Sequence, residues 1–366
     1  MKILFSLSIA LAAGLAQANT LQPVPVARGL VNPWGLAFLP DGRFLVTERA
    51  GRLRIVAADG TLGEPLAGLP PIFTGGQCGL LDVVVDPDFA TNQLIFWTFA
   101  EPAPEGQSGN GTSVARARLV GDKLTEVRTI FRQAPKVSSQ LHCGSRIVFA
   151  RDGTLLVGLG DRFSRKDDAQ TLDNHLGKVV RITRDGAAAP ANPFAATAGA
   201  LPEIWSRGHR NIQGAALHPG TGELWASEHG PQGGDEINVV EAGRNYGWPV
   251  VTYGRNYGLG TRIGEEGPKP GIEMPRKHWV PTSIAPSGMA FLTSERYPGW
   301  KGNLFIGALR EQALVRLTID GRNVTGEERL LTTLSSRIRD VRQGPDGWLY
   351  VLTDGGDGRI LRLEVR

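Results

Sequence analysis

One unit recurs six times along this chain: an apolar strand, a turn built from Pro, Asp or Gly, and a second apolar strand. It is legible at residues 34–46 (WGLAFLPDGRFLV), 79–97 (GLLDVVVDPDFATNQLIFW), 145–157 (SRIVFARDGTLLV), 213–225 (QGAALHPGTGELW), 287–306 (SGMAFLTSERYPGWKGNLFI) and 339–351 (RDVRQGPDGWLYV). Successive copies begin roughly 45 to 75 residues apart, the length of a four-stranded propeller blade with insertions. Asp-Gly, which suits tight hairpins needing positive φ, stands at 41–42, 59–60, 152–153, 185–186, 320–321 and 346–347. Beyond the first twenty residues no segment sustains a helical period. A β-sandwich would use similar strands and turns but does not require the recurring two-strand unit. The expectation is therefore an all-β chain, a six-bladed β-propeller with four-stranded antiparallel blades. Ring closure predicts that residues 23–27 pair in the blade containing residues 360–365.

Residues 1–20 carry Lys2, an apolar run over 3–15 and Ala16-Gln17-Ala18 before Asn19. That pattern reads as a secretory signal over 1–18, too short in its apolar part for a stable membrane insertion. Residues 19–366 are then one propeller domain, periplasmic in a Gram-negative source. The formal charge is +4 with Lys and Arg dispersed, which leaves no nucleic-acid footprint. Two cysteines, Cys78 and Cys143, have no zinc or haem spacing. In an exported protein they read as a disulfide or as two buried thiols.

The densest polar stretch is 209–249, HRNIQGAALHPGTGELWASEHGPQGGDEINVVEAGRNYGWP, whose polar groups fall at the ends of two short strands. A propeller brings the start of every repeat to one axis. There stand Gln77, His142, Asp161, Arg210 with Asn211, Ala308 to Arg310, and Arg337 with Arg339. This is a base, amide donors and several guanidinium groups at one channel mouth, a set suited to a planar, carboxylate-rich anion. Arg337 and Arg339 alternate along a presumed strand and share a face, which is costly unless an anion lies between them.

In GGQCGLLDVV, LHCGSR, HRNIQG, EHGPQGGDEIN, NYGWP, IGALR and RIRDVRQGPDG, taken in order over nearly the whole mature length, the chain resembles a known family. It is similar to the soluble pyrroloquinoline quinone (PQQ)-dependent aldose sugar dehydrogenases of the glucose/sorbosone dehydrogenase family, six-bladed propellers of the periplasm. The resemblance implies that aldose sugars are oxidised to lactones and that electrons pass to an external acceptor. It makes His142 the base that takes the C1 hydroxyl proton while hydride passes to C5 of the quinone; Gln77 would lie beside the cofactor and substrate, and Asp161, among the residues gathered at the axis, is the remaining catalytic candidate. Arg210 and Asn211 would touch the quinone oxygens. Tyr257, Ala308, Leu309, Arg310, Arg337 and Arg339 would complete the cofactor site, and Trp279 its wall. The carbonyls of Gly230 and Pro231 would hold a Ca²⁺ on the quinone; Glu236 and the Tyr246 carbonyl would hold a second, structural Ca²⁺.

Three departures from the family pattern matter. Arg310 stands in the cofactor clamp where relatives place Lys, keeping charge but not reach; Leu141 stands where some have Asp before the base; and the segment Arg162 to Asp168 differs between members, so substrate preference does not carry over. His218 is expected to be structural and His229 to orient its loop; Glu228 is expected to cap a loop, and Asp235 is left between loop and metal. Because each cysteine follows a proposed site residue, Gln77 or His142, a Cys78–Cys143 bridge bracing the base is expected, with two unpaired core thiols as the alternative. Readings of a different class are a non-catalytic extracellular binding propeller, marked by outward arginines or a filled channel, and a Ca²⁺-dependent lactonase-type propeller, which needs several carboxylates around an axial metal.

Overall fold

The computed structural model describes residues 20–366; the expected signal segment lies outside them. In these described residues twenty-four strands form six sheets of four, each antiparallel and each one blade of a β-propeller. The innermost strands are Pro33–Phe38, Leu80–Val85, Gly144–Phe149, Ile212–Leu217, Pro286–Phe291 and Ile338–Gln343, neighbours of one another around the axis. Each of the six repeats supplies the first two strands of one blade, as the sequence unit predicts. Among the described residues helix is confined to Phe89–Asn92 and two 3₁₀ turns. The glycines of the six Asp-Gly turns named above have positive φ, between 57° and 91°.

The sixth blade is composite. Its outer strand is Leu21–Leu30 from the start of the chain, antiparallel to Gly358–Val365 with Pro23 opposite Leu363 and Ala27 opposite Ile360. The ring therefore closes where the sequence predicts.

Apolar side chains fill the spaces between blades, where both faces of every sheet are covered. Each interface has its own cluster. Blades two and three, for example, share Phe96, Phe131, Ile147, Leu155 and Val180. Trp279 belongs to such a cluster: it lies on the outermost strand of blade four, packs in one cluster with Trp225 and Met289, and its indole donates to Glu327 at 2.7 Å. This corrects its expected place in a pocket wall, because the last strand of a blade is the one farthest from the axis.

Every innermost strand is irregular at its start. The pairing with the second strand shifts between Pro33 and Gly35, Leu80 and Val83, Gly144 and Ile147, Ile212 and Gly214, Pro286 and Met289, and Ile338 and Asp340. A bulge of this kind re-aims side chains. Here it delivers Trp34, Asp82, Arg146, Gln213, Ser287 and Arg339 to the shared inner surface. Arg146, fully buried, pairs with Asp82 at 3.0 Å and Asp340 at 3.1 Å and donates to the carbonyls of Gln213 and Arg339. Its guanidinium lies 4.2 Å from the Trp34 ring centroid. Arg342 closes the circuit onto Asp82 and Asp340 at 2.8 and 2.9 Å. Two cations and two carboxylates thus plug the channel, and Gly288 is required beside them because a side chain there would overlap Asp340.

Candidate active site

The plug separates two mouths. The one formed by the far ends of the inner strands opens on a recess of about 420 Å³ lined by Phe38, Val85, Phe149, Leu217 and Phe291, whose sole ionisable lining residue among those described is Arg342. Although this recess is large, it lacks the groups that proton transfer needs. The titratable groups converge at the opposite mouth, on the loops that lead into the inner strands.

His142 is the centre of that mouth. It precedes the third inner strand with φ 48°, and its backbone N–H donates to the Gln77 side chain at 2.9 Å. Its Nδ1 lies 2.6 Å from Asp161 Oδ1. Asp161 is fully buried and also accepts the Phe163 N–H at 2.8 Å and the Trp248 indole N–H at 2.7 Å. Burial, then the nearby Arg210 charge, hold the His142 imidazole below its ordinary value against the opposing pull of Asp161. Asp161 itself, despite burial, is held below the usual carboxylate range by His142. A neutral imidazole whose Nδ1 is tied to a carboxylate leaves its basic lone pair on Nε2.

Asn211 and Arg210 lead into the fourth inner strand. The Asn211 side-chain oxygen accepts the Gly144 N–H at 3.1 Å, so the amide oxygen serves the backbone just after His142. Arg210 lies over the Trp248 ring at 5.2 Å and donates to the His229 and Gly230 carbonyls at 2.9 and 2.6 Å and to the Tyr257 hydroxyl at 3.4 Å. The Gly230 carbonyl, an expected Ca²⁺ ligand, therefore already uses one of its two lone pairs. Glu228 accepts the Arg210 N–H at 2.8 Å as well as His209 and Asn238. It is a buried strand-end anchor that orients Arg210. Asp235 accepts Gly230 N–H, Ser283 hydroxyl and Ala285 N–H, which makes it a loop clamp. His229 meets the Pro286 carbonyl at 2.8 Å; burial and the charges of Arg339 and Arg210 push its imidazole down to about 3.

The cation pair of blade six has an anion between its members: Arg337 and Arg339 reach the same Asp354 oxygen at 3.2 and 3.3 Å. The shared face predicted from their alternation is real, and part of its charge is offset by an acid the sequence reading missed. Asp354 immediately follows the second strand of that blade, Leu349–Thr353, at the same mouth. Arg339 also donates to Gln213, which in turn donates to Asn211 at 3.2 Å, so the two halves of the mouth form one network. Arg337 donates to the Leu309 carbonyl at 3.4 Å, bringing Ala308 to Arg310 to the same rim. Arg310 is exposed and bonded only loosely, to the Ser283 carbonyl at 3.4 Å. Tyr246 is buried in blade four, its hydroxyl on the Val239 carbonyl and its ring stacked on His209. Trp248, within NYGWP, was assigned no role from sequence; its indole N–H is what a buried carboxylate partner of a histidine needs. His218 packs against Phe291 and caps its own turn, as expected of a structural residue.

Cys78 and Cys143 form a disulfide with Cα atoms 5.8 Å apart, joining the Gln77 and His142 loops. Arg162 donates to the Cys143 sulfur, to Asn110 and to the Ser139 carbonyl, each at 2.6 Å.

Comparison with known proteins decides the family, because the Glucose / Sorbosone dehydrogenase model matches residues 30–362. The chain belongs to the glucose/sorbosone dehydrogenase family. Among this family's members, the aldose sugar dehydrogenase YliI of Escherichia coli K12 is 46% identical over 342 residues, 92% of this chain and 91% of that one. The apo crystal structure of the E. coli soluble aldose sugar dehydrogenase superposes with a TM-score of 0.91 at 44% identity, covering 95% of this chain and all of the other. The PQQ-bound aldose sugar dehydrogenase of Streptomyces coelicolor gives a TM-score of 0.78 at 30% identity, covering 95% and 99%. No helix among the described residues is long and apolar enough to cross a membrane.

Proposed function

We propose that this family member oxidises the C1 hydroxyl of aldose sugars to lactones, with PQQ as hydride acceptor and an external molecule taking the electrons onward, in the periplasm. The observation that carries the reading is a buried His142–Asp161 pair facing guanidinium groups whose Nε atoms, on Arg210 and Arg339, have no acceptor among the described residues. Buried donors left unmet are costly, and a ligand rich in carboxylate and carbonyl oxygens meets them. These residues therefore fit PQQ. Bound there, PQQ supplies the electrophilic carbon that accepts hydride. His142 Nε2 receives the hydroxyl proton; Asp161 fixes the tautomer and stabilises the imidazolium formed. Gln77 holds the His142 backbone, and Arg210, with Asn211, Tyr257, Ala308, Leu309, Arg310, Arg337 and Arg339 around the rim, would bind and orient the cofactor.

Calcium also fits the chemistry of the donor set. Burial and the neighbouring Glu228 carboxylate raise Glu236 well above the usual carboxylate range, while only the Asn238 amide donates to it. A hard cation held by Glu236 and the Tyr246 carbonyl offsets that repulsion. Gly230 and Pro231 carbonyls would hold the second ion, as a Lewis acid toward the cofactor.

The lactonase-type reading is disfavoured by the axis itself, where Asp82 and Asp340 are neutralised by Arg146 and Arg342. The filled mid-channel is the feature that suits a pure binding propeller, but the site lies above it and Arg210 and Arg339 are buried rather than outward. The deciding experiment reconstitutes the purified protein with PQQ and CaCl₂ and follows dye reduction over a panel of aldoses. Reduction that depends on PQQ and sugar together is expected; none with any aldose would sink the reading.

A further inference from the structure

Two successive residues after Asp161 sit in the left-handed region that side chains avoid: Arg162 at φ 59° and Phe163 at φ 65°. Neither is glycine, so the backbone is strained twice in a row, and surrounding structure must hold it there. The clamps are visible. Asp161 Oδ1 takes the Phe163 N–H, the Arg162 carbonyl takes the Ser164 N–H at 2.8 Å, and the fully buried Arg162 guanidinium is tied to Asn110, Ser139 and the disulfide sulfur.

What the strain delivers is an aromatic ring at the surface. Phe163 is 48% exposed, and its ring meets the His142 imidazole edge to face with centroids 5.2 Å apart. An isolated exposed apolar residue is ordinary. This one differs because its backbone is pinned to the same carboxylate oxygen that orients His142, so one group positions both the ring and the imidazole. A phenyl face at the open side of a histidine base offers apolar contact to a ligand whose reacting group lies at that base. Aldopyranoses have such a surface: the C–H groups on one face of the ring are apolar, while hydroxyls point around the rim.

We propose, resting on the dehydrogenase reading above, that Phe163 contacts the sugar, stacking on the C–H face of the aldose and so helping to set which aldoses are accepted. Sugars with an unbroken equatorial pattern present the flattest face to the ring, and an axial hydroxyl on that face interrupts the contact. Discrimination against axial epimers therefore passes in part through this one side chain.

The test uses the protein reconstituted with PQQ and Ca²⁺, as wild type, Phe163→Ala and Phe163→Trp. Two quantities are measured: KM and kcat for D-glucose, D-galactose and D-mannose, and the inhibition constant of 1,5-anhydro-D-glucitol, which lacks the C1 hydroxyl and reports binding without turnover. Phe163→Ala is expected to raise the D-glucose KM and the inhibition constant together by roughly tenfold and to narrow the spread among the three sugars, while Phe163→Trp restores both. Unchanged KM and inhibition constant in Phe163→Ala would overturn the proposal. So would a loss confined to kcat with a displaced acid limb, since the ring would then act on His142 and not on sugar. A wild type that oxidises no aldose removes the dehydrogenase reading and this proposal together; an active wild type with an indifferent Phe163→Ala removes this proposal alone.

Discussion

Asp161 and His142 share a 2.6 Å Oδ1–Nδ1 contact, and the other Asp161 oxygen is held by Trp248 at 2.7 Å. The carboxylate is thus fixed on both oxygens and fixes the imidazole in turn. Asp161→Asn keeps the shape but can present an N–H to Nδ1 and reverse the tautomer. Turnover is expected to fall by roughly three orders of magnitude, with PQQ affinity nearly kept; steady-state kinetics beside a fluorescence titration of PQQ check it. Turnover within tenfold of wild type would remove Asp161 from the mechanism.

A base works when unprotonated. Burial and Arg210 both favour loss of the His142 proton, so its value lies below the ordinary 6.5. As pH falls, activity should persist past that ordinary value and drop only on reaching the lowered one. The acid limb of kcat/KM against pH is the measurement, and a limb above 6.5 would contradict the electrostatics described.

Arg339 is buried, holds Asp354 and Gln213, and has an unmet Nε. Arg339→Gln removes a charge from the anion site and leaves Asp354 to Arg337. PQQ affinity is expected to weaken by roughly 10–100-fold, read by equilibrium titration of the apoprotein; an unchanged affinity would place the cofactor elsewhere.

The Cys78–Cys143 bridge closes a loop of 65 residues. Loop entropy assigns it about 4 kcal/mol, or a fall in Tm of roughly 5 °C for a chain of this length, in the Cys78→Ser/Cys143→Ser double variant. Differential scanning calorimetry checks this, and an unaltered Tm would mean that the loops are held by packing and Arg162 alone.

Arg146→Met strands Asp82 and Asp340 in the channel. Breaking one side of a buried ion network costs about 3–5 kcal/mol, so denaturant unfolding should show a large loss. A variant as stable as wild type would show that Arg342 neutralises both acids unaided.

Much of the architecture could be read in advance, for a physical reason: blade strands alternate with tight turns, and both leave local marks in Val, Ile, Leu and Asp-Gly. The join between the first and last strands followed from closure. The convergence of Gln77, His142, Arg210 and Arg339 was legible because the mouth of a propeller gathers strand openings. The bulges were not, since a single extra residue leaves no compositional trace, and with them the Arg146 plug stayed hidden, although an arginine inside an apolar strand at LHCGSR was the available sign. Asp354 and Trp248 went unassigned because their partners are distant in sequence, and Trp279 was misplaced because an aromatic reads alike in a blade interface and in a pocket wall.

The composite sixth blade sets an order on biogenesis. Residues 21–30 leave the ribosome long before their hydrogen-bonding mate, 358–365. A nascent chain therefore carries an unzipped seam until residues 358–365 have emerged, and a product that stops short of them has a raw edge where the circle should lock. Arg339 and Asp354 belong to the same blade, so a product that stops short of residue 358 keeps both but loses the two outer strands that back this wall of the mouth.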